Sequence, residues 1–153
     1  MYGIAFDVGE NTGIVLAELE RDKMPAIVRS TTVYNEKVAL AIADADKFME
    51  EVKGYPLGIV VVELPLITKM SDRRKAMEVV RGMWTTWIDT NFRNRQIPIR
   101  QISAVDWKVT PSGKIDVFKN QTDSTWQIVK RTRHEKDAAA MLHWYTVWKL
   151  GKL

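Results

Sequence analysis

Ile4-Ala5-Phe6-Asp7-Val8-Gly9 runs straight into Glu10-Asn11-Thr12-Gly13, and a second apolar run, Ile14-Val15-Leu16-Ala17, follows. Short apolar runs bounded by turn residues read as buried strands, and a glycine-flanked connector of this length reads as a hairpin. Asp7 therefore lies inside a strand pattern, where a lone charge is expensive to bury. Either a cation offsets that cost, or the carboxylate caps backbone N–H groups of the turn.

Outward from this hairpin, the pattern predicts strands over residues 2–8, 13–20 and 26–33, an antiparallel meander. Asn35 is a candidate N-cap for a helix over 36–52, which Gly54 stops. Residues 57–63 (Leu-Gly-Ile-Val-Val-Val-Glu) read as a central strand ending in a carboxylate, and Pro65 bars its continuation. Ser71-Asp72 caps a long helix over 73–92, whose apolar face is Met77, Val80, Met83, Trp84, Trp87 and Ile88. Ala76 and Gly82 are expected to allow close approach. A fifth strand spans 97–102. It is followed by a helical turn near 104–108, a polar loop over 110–122, a helical stretch over 124–130 and a last helix over 135–150. The order βββαβαβα implies right-handed crossovers and a mixed five-stranded α/β sheet flanked by helices, with the first strand central beside the strand ending at Glu63. Asp7 and Glu63 then come together although far apart in the chain.

The third acidic segment is His134-Glu135-Lys136-Asp137-Ala138-Ala139-Ala140. On a helix His134 and Asp137 share a face, while Glu135 and Lys136 point elsewhere. The small residues behind them let the helix press on the sheet, so that Asp7, Glu63 and Asp137 converge with His134 beside them. Three close carboxylates do not all ionise cheaply without cations. Mg²⁺ or Mn²⁺, held partly by water and partly by substrate phosphate, is the natural partner. Two such ions about 3.5–4 Å apart serve in-line phosphoryl displacement.

A strand with Asp followed by Gly-x-x-x-Gly, a strand ending in Glu, and a helix opening His-x-x-Asp-Ala resembles the RuvC-type Holliday junction resolvases of the RNase H-like (retroviral integrase) superfamily. The element order agrees over essentially the whole chain, 1–153, as a single nuclease domain. The resemblance implies a homodimeric, divalent-metal endonuclease that nicks two opposed strands of a four-way DNA junction. By motif, Asp7, Glu63, His134 and Asp137 are its metal and catalytic positions. The small size suits a phage or other mobile-element protein acting in the host cytoplasm. Relatives commonly carry Gln after the strand-ending Glu and a junction-probing aromatic further on. This chain has Leu64-Pro65-Leu66, so that Leu66, Ile67 or Met70 would serve. An RNase H-type or other branched-DNA nuclease on the same fold is the alternative, and a binding module without catalysis a further one. Actin-like and sugar-kinase ATPases share an opening Asp-x-Gly but need two such domains. The Gly-Lys-Ser/Thr of a phosphate loop is missing, position 138 breaks His-Glu-x-x-His, and no small-molecule cofactor is implied.

Charge is divided unevenly. Residues 1–63 carry 6 Lys/Arg against 11 Asp/Glu, and residues 64–153 carry 17 against 8, within a net charge of +4. A basic half suits a polyanion. Lys69, Arg73, Arg74 and Lys75 open the long helix just after Glu63, and Lys108, Lys114, Lys119, Lys130, Arg131 and Arg133 line the late loop and the approach to His134. With no cysteine, a disulfide framework and a Cys-based zinc site are excluded. No apolar run approaches a membrane span, which predicts a soluble cytoplasmic protein. Six tryptophans are many for 153 residues. Those at helical spacing read as core or interface, and Met77, Val80, Met83, Trp84 and Trp87 are candidates for a dimer face.

Overall fold

The structure is a computed structural model that describes residues 1–21, 23–66, 72–104, 107 and 132–149, with the backbone only at 72, 73, 148 and 149. Its centre is a five-stranded sheet in the order β3-β2-β1-β4-β5. The strands are β1 (Tyr2–Asp7), β2 (Asn11–Glu18), β3 (Ala26–Tyr34), β4 (Leu57–Glu63) and β5 (Ile99–Ile102). β1, β2 and β3 pair antiparallel, whereas β1–β4 and β4–β5 are parallel. Helix α1 (Val38–Val52) bridges β3 to β4, and α2 (Asp72–Phe92) with a 3₁₀ turn (Arg93–Arg95) bridges β4 to β5. The last helix, α3 (Arg133–Trp144), widens into a π-helical turn over Tyr145–Lys149. The predicted mixed sheet and central first strand are those observed. The helical turn, polar loop and helix predicted between 104 and 131 lie, save for Ala104 and Trp107, outside the described residues.

β1 is apolar on both sides because helices cover both faces of the sheet. Alternation sends Ile4 and Phe6 of β1, with Val60 and Val62 of β4, into one cluster with α1 and α2. Ala5, Ile59 and Val61 go to the opposite cluster, with Trp107 and the Ala138–Leu142 stretch of α3. In the first cluster Phe6, Trp84, Trp87 and Phe92 form a knot of tilted and edge-on rings, with centroids 5.5 Å apart for Trp84–Trp87 and 5.9 Å for Phe6–Trp84.

This knot corrects the expected dimer face. Val80, Trp84 and Trp87 are buried in the protomer's own core, as are Ile88 and Phe92. Among the described residues Gly82 has nothing within 4 Å of a would-be Cβ, so it serves no close packing against them, and Ala76 is likewise exposed. α1 starts two residues later than expected, with Lys37 at the N-cap position and no side-chain cap bond. Asn35 has been taken for another purpose.

Candidate active site

Alternation along the strands places the first two acidic residues. Ala5 and Val61 face α3, and Asp7 and Glu63 lie two positions further on the same faces of β1 and β4. The register pairs Asp7 with Glu63 directly across the parallel ladder. Neighbouring strands run about 4.8 Å apart, so the two carboxylates leave the sheet side by side. Val8 N–H donates to the Glu63 carbonyl at 3.0 Å, extending the pairing past the last strand residue. The Glu63 side chain is oriented as well, because the indole Nε1–H of Trp107 donates to its Oε2. Trp107 is only 2 % exposed and packs in the α3-side cluster. Trp107 falls in the helical turn expected near 104–108, and a lone aromatic there carries no signal in the sequence of what it will touch.

Asp7 is also register partner to Gly13 of β2, and there α3 meets the sheet. A Cβ on Gly13 would lie 2.0 Å from the carbonyl oxygen of His134 and 2.8 Å from the amide nitrogen of Glu135. The first turn of α3 thus sits against bare backbone beside Asp7. That contact sets the His134 backbone beside the strand that pairs with β1, with Asp137 one turn further along the helix. Asp137 is 8 % exposed, and its Oδ1 is sealed from solvent.

On the same turn Glu135 points into the protein, at 8 % exposure. Its carboxylate accepts from Ser30 Oγ at 2.6 Å and from Thr32 Oγ1 at 2.9 Å, both on β3, and from the Thr132 amide at 3.2 Å. Thr132 caps α3 in return by accepting from Glu135 N–H, which completes a capping box. Burial pushes this carboxyl up, but the hydrogen bonds from Ser30, Thr132 and Thr32 outweigh it and hold it below the usual carboxylate value. A Thr-x-x-Glu pattern could have announced the cap; its hook onto β3 is a long-range contact.

The hairpin turn after Asp7 has its own anchor. Asn35 Nδ2 donates to the Gly9 carbonyl at 2.9 Å and to Thr12 Oγ1 at 2.8 Å, while its Oδ1 accepts from Trp84 Nε1–H at 2.9 Å. Both amide N–H donors and the amide oxygen are used.

Among the described residues, no three of His, Asp and Glu close around a common point. Asp7 and Glu63 come together as register partners, with His134 on the helix turn set against Gly13 and Asp137 one turn further along. The two carboxylates of Asp7 and Glu63 offer hard oxygen donors, which suit a largely hydrated cation such as Mg²⁺ or Mn²⁺ rather than a cage that strips its water. Of the expected DNA-binding residues, Arg74 is half-exposed and pairs with Glu78 at 3.1 Å, and Lys75 is exposed. Lys69, Lys108, Lys114, Lys119, Lys130, Arg131 and the Arg73 side chain lie outside the described residues. Leu66, three residues past Glu63, is 80 % exposed; Ile67 and Met70 are not described.

The fold resembles that of Thermus thermophilus RuvC. The similarity has a TM-score of 0.68 at 13% identity and covers 95% of this chain and 93% of that one. T. thermophilus RuvC in complex with a Holliday junction substrate matches at TM-score 0.67 and 11% identity, over 95% and 92% of the two chains. The yeast mitochondrial Holliday junction resolvase Ydc2 matches at TM-score 0.50 and 12% identity, over 97% and 80%. No protein-family model matches the sequence, and no curated protein matches it. At these identities the likeness is one of fold, and the mixed five-stranded sheet flanked by helices, which the resemblance implied as an RNase H-like fold, is the architecture found. No helix among the described residues is long and apolar enough to cross a membrane.

Proposed function

We propose that this chain is a divalent-metal-dependent endonuclease that resolves four-way DNA junctions by paired nicks in opposed strands. The observation that carries the reading is the Asp7–Glu63 register pair, on the face where the first turn of α3 rests its His134 backbone against Gly13, with Asp137 one turn further along. Fold neighbours that act on or are bound to Holliday junctions support the choice of substrate.

Asp7, Glu63 and Asp137 would hold Mg²⁺ or Mn²⁺, with His134 at the rim of the site. Ions held there would supply Lewis-acid activation of the attacking water and stabilisation of the leaving oxygen in an in-line displacement. Trp107 holds the Glu63 carboxylate in one orientation, and the hairpin turn fixes the backbone that carries Asp7. His134, as neutral imidazole, orients the attacking water; as imidazolium, it steadies a phosphate. Arg74 and Lys75, with the basic residues flanking Glu63 and His134 in sequence, neutralise phosphates and position the arms without reading bases. Leu66 presents an apolar side chain to the junction centre.

Two equivalent strands of a junction call for two sites related by a two-fold axis, hence a homodimer. Because Val80, Trp84 and Trp87 are consumed inside the protomer, the face of α2 available to a partner is the exposed stretch of Ala76, Val79 and Gly82.

The test is cleavage of a synthetic four-way junction in Mg²⁺ beside linear duplex and an RNA–DNA hybrid. Symmetric paired nicks in the junction alone are expected. Asp7→Asn, Glu63→Gln and Asp137→Asn should each abolish cleavage while leaving junction binding intact, and EDTA should silence the wild type. Cleavage of the hybrid in preference to the junction would replace the resolvase by an RNase H-type nuclease. Activity in excess EDTA would overturn the metal mechanism.

A further inference from the structure

We infer that Asn35 is a positioning residue for the proposed metal site: it locks the turn that follows Asp7 and ties that turn to α2. The inference rests on the reading of Asp7 as a metal ligand and adds to it a residue that touches neither metal nor substrate.

The geometry leaves Asn35 one orientation. Trp84 Nε1 can only donate and the Gly9 carbonyl can only accept, so the amide oxygen must face the indole and the amide nitrogen the turn. Thr12 Oγ1 takes the second amide proton at 2.8 Å. Asn35 is 4 % exposed, and Thr12 and Trp84 are more deeply buried, so no water replaces a lost partner cheaply. Gly9 and Thr12 bracket the turn between Asp7 and Gly13, which are themselves register partners. A shift of this turn therefore moves both the backbone of Asp7 and the glycine against which α3 rests. From the other side, the turn is held by Val8 N–H on the Glu63 carbonyl. The chain thus spends a favourable N-cap residue, just ahead of α1, on a contact spanning 49 positions to Trp84.

Groups that orient a metal ligand typically affect metal affinity or activity by about 10–100-fold when removed. Thr12 separates such a role from plain packing. Thr12→Val keeps the volume and loses the hydroxyl; Thr12→Ser keeps the hydroxyl and loses a methyl group from the core. If Asn35 positions the turn through hydrogen bonds, Val is the damaging substitution and Ser retains function. If the region is only packed core, Ser is the worse of the two.

The experiment measures Mn²⁺ binding to the DNA-free protein by loss of the free-ion EPR signal, together with single-turnover junction cleavage across Mg²⁺ concentration. Asn35→Ala, Thr12→Val, Thr12→Ser and Trp84→Phe are compared, each at a temperature where circular dichroism shows it folded. Asn35→Ala and Thr12→Val should weaken Mn²⁺ binding and raise the half-saturating Mg²⁺ by about 10-fold, with junction affinity in EDTA within roughly two-fold of wild type. Trp84→Phe should shift both in the same direction, and Thr12→Ser should stay near wild type. Wild-type Mn²⁺ binding by folded Asn35→Ala, or Thr12→Ser worse than Thr12→Val, would overturn the inference while leaving the resolvase reading intact. Unchanged Mn²⁺ binding by Asp7→Asn would remove the metal-site reading and the inference with it.

Discussion

Replacing Gly13 by alanine probes the contact on which the site depends. The added Cβ would lie 2.0 Å from the His134 carbonyl oxygen, 2.2 Å from its carbon and 2.8 Å from Glu135 N. Ordinary contact between such atoms is about 3.5 Å, so β2 and the start of α3 must part by roughly 1.5 Å. Both sides of the clash are backbone, and neither can swing away like a flexible side chain. β2 is held by ladders on both edges, to β1 and β3. The start of α3 is held by Glu135 through Ser30 and Thr32. The strain falls on that hook and on the small-residue packing of Ala138 and Ala139, and overpacking of this kind costs about 1–3 kcal/mol. Activity should suffer more than stability. His134 and Asp137 ride on the displaced turn, and a 1 Å misplacement can cost about 100-fold in rate. Urea unfolding and single-turnover junction cleavage read the two quantities. Gly54→Ala, with nothing among the described residues within 4 Å of its Cβ, serves as the control. A folded Gly13→Ala protein cleaving at the wild-type rate would refute the claim that this close approach builds the site.

Three further outcomes follow from particular contacts. Trp107→Phe removes the donor that orients Glu63 and should lower cleavage by about 10-fold or more with junction binding unchanged, as filter binding in EDTA would verify. Burial pushes the His143 imidazole down to about 4, so the folded protein resists a proton that the unfolded chain accepts at its ordinary 6.5. Stability is therefore present above 6.5 and drains away as pH falls towards 4; of the order of 1–2 kcal/mol should be lost between pH 7 and pH 5, and urea midpoints of His143→Gln should lack that slope. Val79, 56 % exposed on the outer face of α2, should tolerate Arg with a stability change within about 0.5 kcal/mol, while light scattering reports monomer in place of dimer and paired nicks become single ones.

Much of the site was legible along the chain because it depends on backbone periodicity. Alternation in Ile4–Asp7 and Val60–Glu63, together with the strand order forced by right-handed crossovers, already puts both carboxylates on one face in adjacent strands. The His134/Asp137 spacing likewise follows from helical repeat alone. What periodicity does not encode is which polar atom finds which partner once distant segments meet. Asn35 reads as a helix cap, a local role, but in the folded chain a buried indole N–H and a turn carbonyl needed satisfying, and the amide went to them. Helical spacing says only that Glu135 points away from His134 and Asp137, while Ser30 and Thr32, 105 and 103 positions away, supply the hydroxyls that let it be buried. Trp84 and Trp87 read equally well as core or as dimer face. The choice fell to Phe6 and Phe92, whose rings lie close enough to enclose them. Sequence by itself determined the order of the elements and the face on which Asp7 and Glu63 appear. The pressing of α3 onto Gly13, the bracing of the turn by Asn35 and the hook of Glu135 belong to the tertiary structure, because each joins atoms whose meeting depends on the whole sheet being assembled.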